Sequence, residues 1–88
     1  MKIEEEKLNK AVITSKDIVS GKSFISHVYY DEDGDWQFFD GITIKEDDAL
    51  VISVKQILEI DSSLKNLPEM NIKDNMFRIN KGDIWQKF

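Results

Sequence analysis

Residues 29–41 read Tyr-Tyr-Asp-Glu-Asp-Gly-Asp-Trp-Gln-Phe-Phe-Asp-Gly, and this stretch predicts the β-hairpin on which the fold depends. Apolar residues fall on both faces of the alternating segment 23–30, which is the pattern of a central strand. Gly34 supplies the positive φ that a tight hairpin loop needs, and residues 36–39 predict the returning strand.

Shorter patterns on either side of the hairpin predict the remaining elements. Residues 11–14 and 49–52 are β-branched or apolar runs typical of strands, and 75–88 predict a closing hairpin. Ser53 and Gln56 form a capping box at the start of a helix, Asp61 offers a second N-cap, and Pro68 ends the helical region. We therefore predict an α+β fold, an antiparallel sheet of four to six short strands with one or two helices packed on it. A polar N-terminal arm (1–10) precedes a single domain (11–88).

Acidic residues are concentrated between Asp31 and Asp48, where eight acids accompany one base, Lys45. The rest of the chain has more bases than acids, so this segment makes the protein acidic. The formal net charge of −5 and the scattered bases argue against a nucleic-acid partner, because phosphate binding needs clustered Lys and Arg.

The composition also excludes several classes of protein. The chain has no cysteine, which excludes disulfides and thiolate metal sites. No apolar run approaches the ~18 residues that a membrane span requires. The charged residues 1–7 do not resemble a signal peptide. We expect a cytoplasmic protein with no membrane partner, and the sequence does not predict an oligomeric state.

The acidic turn matches part of a known calcium-binding loop. Asp31, Asp33 and Asp35 match the first, third and fifth ligand positions of an EF-hand loop, but Trp36 stands where that loop requires glycine. We therefore predict a solvent-exposed turn and no metal site, with weak calcium binding as an alternative.

Catalytic residues are not evident in this sequence. His27 is the single histidine and lies in a predicted strand, where a packed or surface imidazole is the simpler interpretation. Asp40, between Phe39 and Gly41, is the best candidate for a partly buried acid, although a turn residue that accepts backbone hydrogen bonds fits better. We predict that the chain is not an enzyme and needs no cofactor.

Partner binding is the remaining hypothesis for the acidic segment. Trp36 is our candidate for an exposed anchor, because Trp is enriched at binding hot spots, whereas Phe38 or Phe39 is expected in the core. The predicted partner-binding residues are Asp31, Glu32, Asp33, Asp35, Trp36, Glu46, Asp47 and Asp48.

The block at 33–41, Asp-Gly-Asp-Trp-Gln-Phe-Phe-Asp-Gly, resembles a motif of small bacterial domains of unknown function. Some of these domains are classed as immunity proteins of polymorphic toxin systems. Their block reads Asp-Ser-Gly-Trp-x-Phe-Phe-x-Gly, and acidic residues, a helix ending in Asp-Pro and a Phe-x-Arg segment follow it. Here residues 46–48, 57–61 and 77–78 resemble the later features in the same order, whereas the turn differs and Ser62 replaces the proline.

The leading hypothesis is therefore a non-enzymatic protein-binding domain of immunity type, which neutralises a toxin through an acidic surface. Its partner would be a basic protein such as a toxin catalytic domain, since an acidic patch complements a basic cleft. The alternatives are an uncharacterised housekeeping domain with no dedicated partner and a weak calcium-binding module.

Overall fold

The structure, a computed structural model, describes residues 1–41 and 46–88. Within these residues the strands are β1 (Ala11–Ser15), β2 (His27–Tyr30), β3 (Trp36–Phe39), β4 (Ala49–Ser53), β5 (Asn75–Phe77) and β6 (Gln86–Lys87). The α-helices are α1 (Lys16–Ser20) and α2 (Val54–Ile60), and short 3-10 helices span Ile3–Glu5, Glu46–Asp48 and Ser62–Asn66.

The strands form one sheet in the order β4-β1-β3-β2-β5-β6. The predicted α+β class is confirmed, and the sheet is mostly antiparallel. One pairing departs from the prediction, because β1 and β3 run parallel, with Ile13 opposite Gln37. β2 runs opposite to β1, and the β2–β3 hairpin reverses the chain again. β3 therefore runs in the same direction as β1 where the two strands pair.

Local sequence signals set the bounds of the helices, as predicted. The hydroxyl oxygen of Ser53 accepts the Gln56 N–H (3.1 Å), and the Gln56 side chain accepts the Ser53 N–H (2.9 Å), which completes the capping box of α2. Gly21 ends α1 in the left-handed conformation that glycine adopts at little cost (φ 84°).

The core occupies one face of the sheet. Val28 of β2 and Trp36 and Phe38 of β3 point into it, and the helices cover it with a set of fully buried side chains: Ile18, Val54, Ile57 and Leu64. The segment predicted as a polar arm contributes to the same core through Ile3, which is buried. Among the described residues, no helix has the length and apolar character needed to cross a bilayer.

Candidate functional site

The acidic loop, residues 31–35, joins β2 to β3 and is organised by Asp31. One carboxylate oxygen of Asp31 accepts the backbone N–H groups of Asp33 and Asp35, both at 2.9 Å. The other accepts the side-chain amide of Gln37 at 3.3 Å. The backbone hydrogen bond from Asp35 is the main reason that the pKa of Asp31 lies below its ordinary value. Asp31 therefore shapes the loop, while Glu32, Asp33 and Asp35 are exposed.

A cation would meet three carboxylates in this loop. Oxygen atoms of Asp31, Asp33 and Asp35 lie within 4.8 Å of one another. Both carboxylate oxygens of Asp31 already accept hydrogen bonds from the loop and from Gln37, so fewer lone pairs are available for a cation. The hydrogen bonds of Asp31 therefore fit a role in shaping the hairpin loop. The closeness of the three carboxylates is the feature on which the calcium alternative depends.

Trp36 does not form an exposed anchor, and that prediction was wrong. Its side chain is 0% exposed, and its ring stacks on Tyr30 at 4.5 Å between centroids. The indole N–H donates to Glu6 at 2.9 Å. The cause is strand alternation, because Trp36 points to the same face of β3 as Phe38, and the N-terminal segment supplies the acceptor that a buried indole needs. The expectation of a core phenylalanine is confirmed for Phe38.

The second acidic segment, residues 46–48, lies at the opposite end of the sheet from the acidic loop. Tyr30 pairs with Trp36 at the loop end of β2 and β3, whereas Ala49 pairs with Ser15 at the far end of β1. Asp47 and Asp48 are exposed, and the side chain of Glu46 lies outside the described part of the structure. The acids of residues 31–35 and 46–48, which are close in sequence, therefore form two separate groups.

The sheet face opposite the core, here called the open face, lies between these groups. Strand register places aliphatic, aromatic and amide side chains on it. They are Ile13, His27, Tyr29, Gln37, Phe39, Val51, Asn75, Phe77, Gln86 and Phe88. The helices α1, α2, Ile3–Glu5 and Ser62–Asn66 contribute buried side chains to the core, so among the described residues they lie on the other side of the sheet and leave this face uncovered.

Aromatic rings form a continuous cluster on the open face. Phe88 lies at its centre, with ring centroids 5.5 Å from His27, 5.5 Å from Phe77 and 5.8 Å from Tyr29. Phe39 joins through Tyr29 at 6.3 Å. We call these five residues the aromatic cluster. Four are half-buried, and Phe88 is 54% exposed.

His27 serves the aromatic cluster as a packed ring. Its Nδ1 lies 2.7 Å from the Ser26 hydroxyl oxygen, and the ring covers the backbone of Gly41. A methyl group at Gly41 would approach His27 to 2.7 Å, so this glycine allows the ring to pack where it does. The interpretation of His27 as a packed imidazole agrees with these contacts.

A shallow cavity of about 370 Å³ connects the acidic loop to the open face. Tyr29, Gln37 and Asn75 line it from the open face, Asp31 and Glu32 line it from the loop, and Lys73 also borders it. The aromatic cluster and the acidic loop therefore belong to one continuous surface.

A buried ionic network on the core side was not anticipated from the sequence. Arg78 is 2% exposed, and it donates to Asp61 (2.6 Å), to the Ser63 hydroxyl (2.8 Å) and to the Ile25 carbonyl (2.9 Å). Its guanidinium also stacks on the Trp85 ring at 4.3 Å. The alternation of Met76 and Arg78 was the available signal, since an arginine at a core-facing position requires a buried acid.

Asp61 is committed to this network. Burial alone would raise its pKa, but hydrogen bonds from Ser63 and Arg78 outweigh burial and hold the pKa below its ordinary value. A cavity of about 350 Å³ borders Asp61, with Lys22 and Lys81 at its wall. An ionised, paired carboxylate is a poor proton donor at neutral pH, so this arrangement favours a structural role.

Asp40, the other acid considered for chemistry, accepts the Ser23 hydroxyl at 2.8 Å and is half-buried.

Comparison with known proteins identifies no relative of this chain. Protein-family models, curated proteins and solved structures were each searched, and none matches the chain. The resemblance to immunity-type domains therefore stays a prediction, and function has to be argued from the surface itself.

Proposed function

We propose that the chain is a cytoplasmic, non-enzymatic protein-binding domain whose partner presents a basic surface. The observation that carries the proposal is a sheet face of aliphatic, aromatic and amide side chains that no helix covers among the described residues, with exposed acids at both of its ends. Acids placed at both ends of a contact surface would steer a basic partner toward it and fix its orientation.

The acidic loop retains most of its negative charge in the free protein. Among the described residues its one ion pair joins Glu32 to Lys73 at 3.8 Å, and both side chains are about 70% exposed. Exposed pairs of this kind contribute little, typically about 0–1 kcal/mol, and are easily exchanged for a partner's bases. The low pKa of Asp31 keeps that carboxylate ionised at neutral pH.

An immunity protein for a toxin is the specific form of this proposal. Toxin catalytic domains that cleave nucleic acids have basic clefts, and an acidic protein can occlude such a cleft without any catalysis of its own. The resemblance at 33–41 supports the same class of function. Expression of the polypeptide encoded immediately upstream should be toxic, and co-expression of this chain should rescue growth. Toxicity that persists despite soluble expression of this chain would refute the immunity role.

Charge variants test the electrostatic part separately. The triple variant Glu32→Gln/Asp33→Asn/Asp35→Asn spares Asp31 and should slow association with that polypeptide at least about tenfold at low salt, with a flatter salt dependence. The matched control Glu4→Gln/Glu59→Gln/Glu69→Gln removes the same charge from exposed positions elsewhere. Equal association rates for the two triple variants would show that the loop is not the contact.

Calcium binding is the competing interpretation, because of the three carboxylates within 4.8 Å. A module of this type would gain thermal stability from millimolar calcium, and the gain would keep rising with the logarithm of the calcium concentration above Kd. We expect no shift in melting temperature beyond that produced by magnesium at the same ionic strength. A calcium-specific shift that disappears in Asp33→Asn would favour the calcium module instead.

A further inference from the structure

The outward positions of the central strands hold aromatic side chains, which is unusual for a sheet face exposed to solvent. An antiparallel sheet with one open face normally alternates apolar residues inward with polar residues outward. Here His27, Tyr29, Phe39 and Phe77 point outward, and Phe88 packs on them. Two faces of the same strands are therefore apolar, and only one is covered among the described residues.

We propose that the aromatic cluster is the centre of the partner contact, and that its occupant is a protein surface with one or two large apolar side chains flanked by Lys or Arg. This inference rests on the proposed function and names where and how that function is carried out. The centres of protein interfaces are depleted of charge and enriched in aromatic residues, and the open face has both properties.

The rings are already held in place before binding. Phe88 makes edge-on contacts with three rings, and its N–H donates to the Asn75 carbonyl at 3.1 Å. Gly41 and the Ser26 hydroxyl fix His27 from the other side. A pre-ordered aromatic surface loses little conformational entropy on binding, so its buried area converts efficiently into affinity. Val51, 70% exposed and opposite Ile13, extends the apolar surface toward the β4 edge.

Charge at the two ends of the open face selects the occupant. A second copy of this chain, stacked with aligned strands, would bring the acidic groups of the two copies together, which is unfavourable. Single-stranded RNA also binds aromatic sheet faces, but there a positively charged surface follows the phosphates. Here the flanking segments carry Asp31, Glu32, Asp33 and Asp35 at one end and Asp47 and Asp48 at the other. A basic protein surface is the occupant that satisfies both the rings and the acids.

The test is a selection from random peptides displayed on phage, panned against the folded wild-type chain. Enriched peptides should carry a positive net charge and at least one Trp, Phe or Leu. Synthetic copies of them should bind Phe88→Ser at least about tenfold more weakly, a loss typical of interface hot spots. The control Ile84→Ser also removes an exposed apolar side chain, but one that lines a separate cavity with Asn66 and Pro68, and it should bind as the wild type does. Thermal melting confirms that both variants are folded.

Each other outcome overturns a distinct part of the proposal. Basic peptides that bind Phe88→Ser and wild type equally would place the contact off the aromatic cluster while leaving the proposed function intact. Peptides that require Phe88 but show no positive bias would refute the basic partner and hence the proposed function. No enrichment, self-association in sedimentation, or tight binding of a uridine oligonucleotide would each refute the inference.

Discussion

The two faces of the central hairpin have similar apolar chemistry but opposite surroundings. Trp36 and Phe38 point into the core and are fully buried, while their neighbours Gln37 and Phe39 point to the open face. The acids show the reverse relation, since they lie within one 18-residue segment of the sequence but at both ends of the sheet. Proximity along the chain is therefore a poor guide here, and strand register decides which residues act together.

Residues that maintain the fold and residues available for binding therefore lie on opposite faces of the same strands. Substitutions on the core face should cost stability, because they create cavities or leave charges unpaired. Substitutions on the open face should cost much less stability, because the side chains already contact water.

The largest expected effect compares Phe38→Ala with Phe39→Ala, adjacent residues of the same strand. Phe38→Ala empties a fully buried site and should cost about 3–5 kcal/mol of unfolding free energy. Phe39→Ala on the open face should cost only about 1 kcal/mol, as a typical substitution does. Urea unfolding at neutral pH measures both. Similar losses for the two would mean that the open face is covered in solution.

The next effect concerns the ionic network under the core face. Arg78→Met removes the donor to Asp61 and should cost about 3 kcal/mol, because a carboxylate is left buried without its cation. Lys81→Met changes the same charge at an exposed position and should stay within about 0.5 kcal/mol of wild type. A neutral effect of Arg78→Met in the same urea experiment would show that the network is not required for stability.

Local signals explain which parts of the fold the sequence predicted correctly. Gly34 in the hairpin loop, the Ser53–Gln56 capping box and the Asp61 cap act within a few residues, and each appears as expected. The parallel pairing of β1 with β3 and the presence of the open face depend on how distant segments pack, which alternation within one strand does not specify.

The candidate site was only partly predictable for the same reason. The acids near the hairpin suggested an exposed Trp36, but Glu6, 30 residues earlier in the chain, supplies its hydrogen-bond acceptor in the core. The open face leaves a signal that is visible in retrospect, because His27 and Tyr29 alternate with the core residue Val28. Apolar residues on both sides of a strand predicted a central position, and β2 is central, but that pattern does not distinguish a second core from a binding surface.

Two glycines with similar backbones provide a smaller test of the aromatic cluster. Gly41 and Gly82 have φ values of 84° and 88°, so alanine should cost about 1–2 kcal/mol of backbone strain at either position. At Gly41 the new methyl group would meet the His27 ring at 2.7 Å, whereas at Gly82 it would have no other described residue within 4 Å apart from its chain neighbours. Gly41→Ala should therefore cost more than Gly82→Ala and should shift the proton resonances of His27 and Phe88. Equal costs with unchanged ring resonances would show that His27 is not packed on Gly41.

The smallest expected effect is the pH dependence that Asp31 contributes to stability. Its pKa is lower in the folded chain than in the unfolded chain, so the unfolded state takes up the proton first as the pH falls. The stabilisation is complete above the unfolded pKa of about 4 and is lost as the pH drops through the folded value. Asp31→Asn keeps a neutral acceptor for the loop N–H groups, so it should be less stable than wild type at pH 7 and converge with it in acid. Asp31→Ala removes the acceptor and should be less stable than Asp31→Asn at every pH. Urea unfolding across this pH range tests the order, and a gap between wild type and Asp31→Asn that does not change with pH would show that the loop hydrogen bonds do not favour the ionised carboxylate.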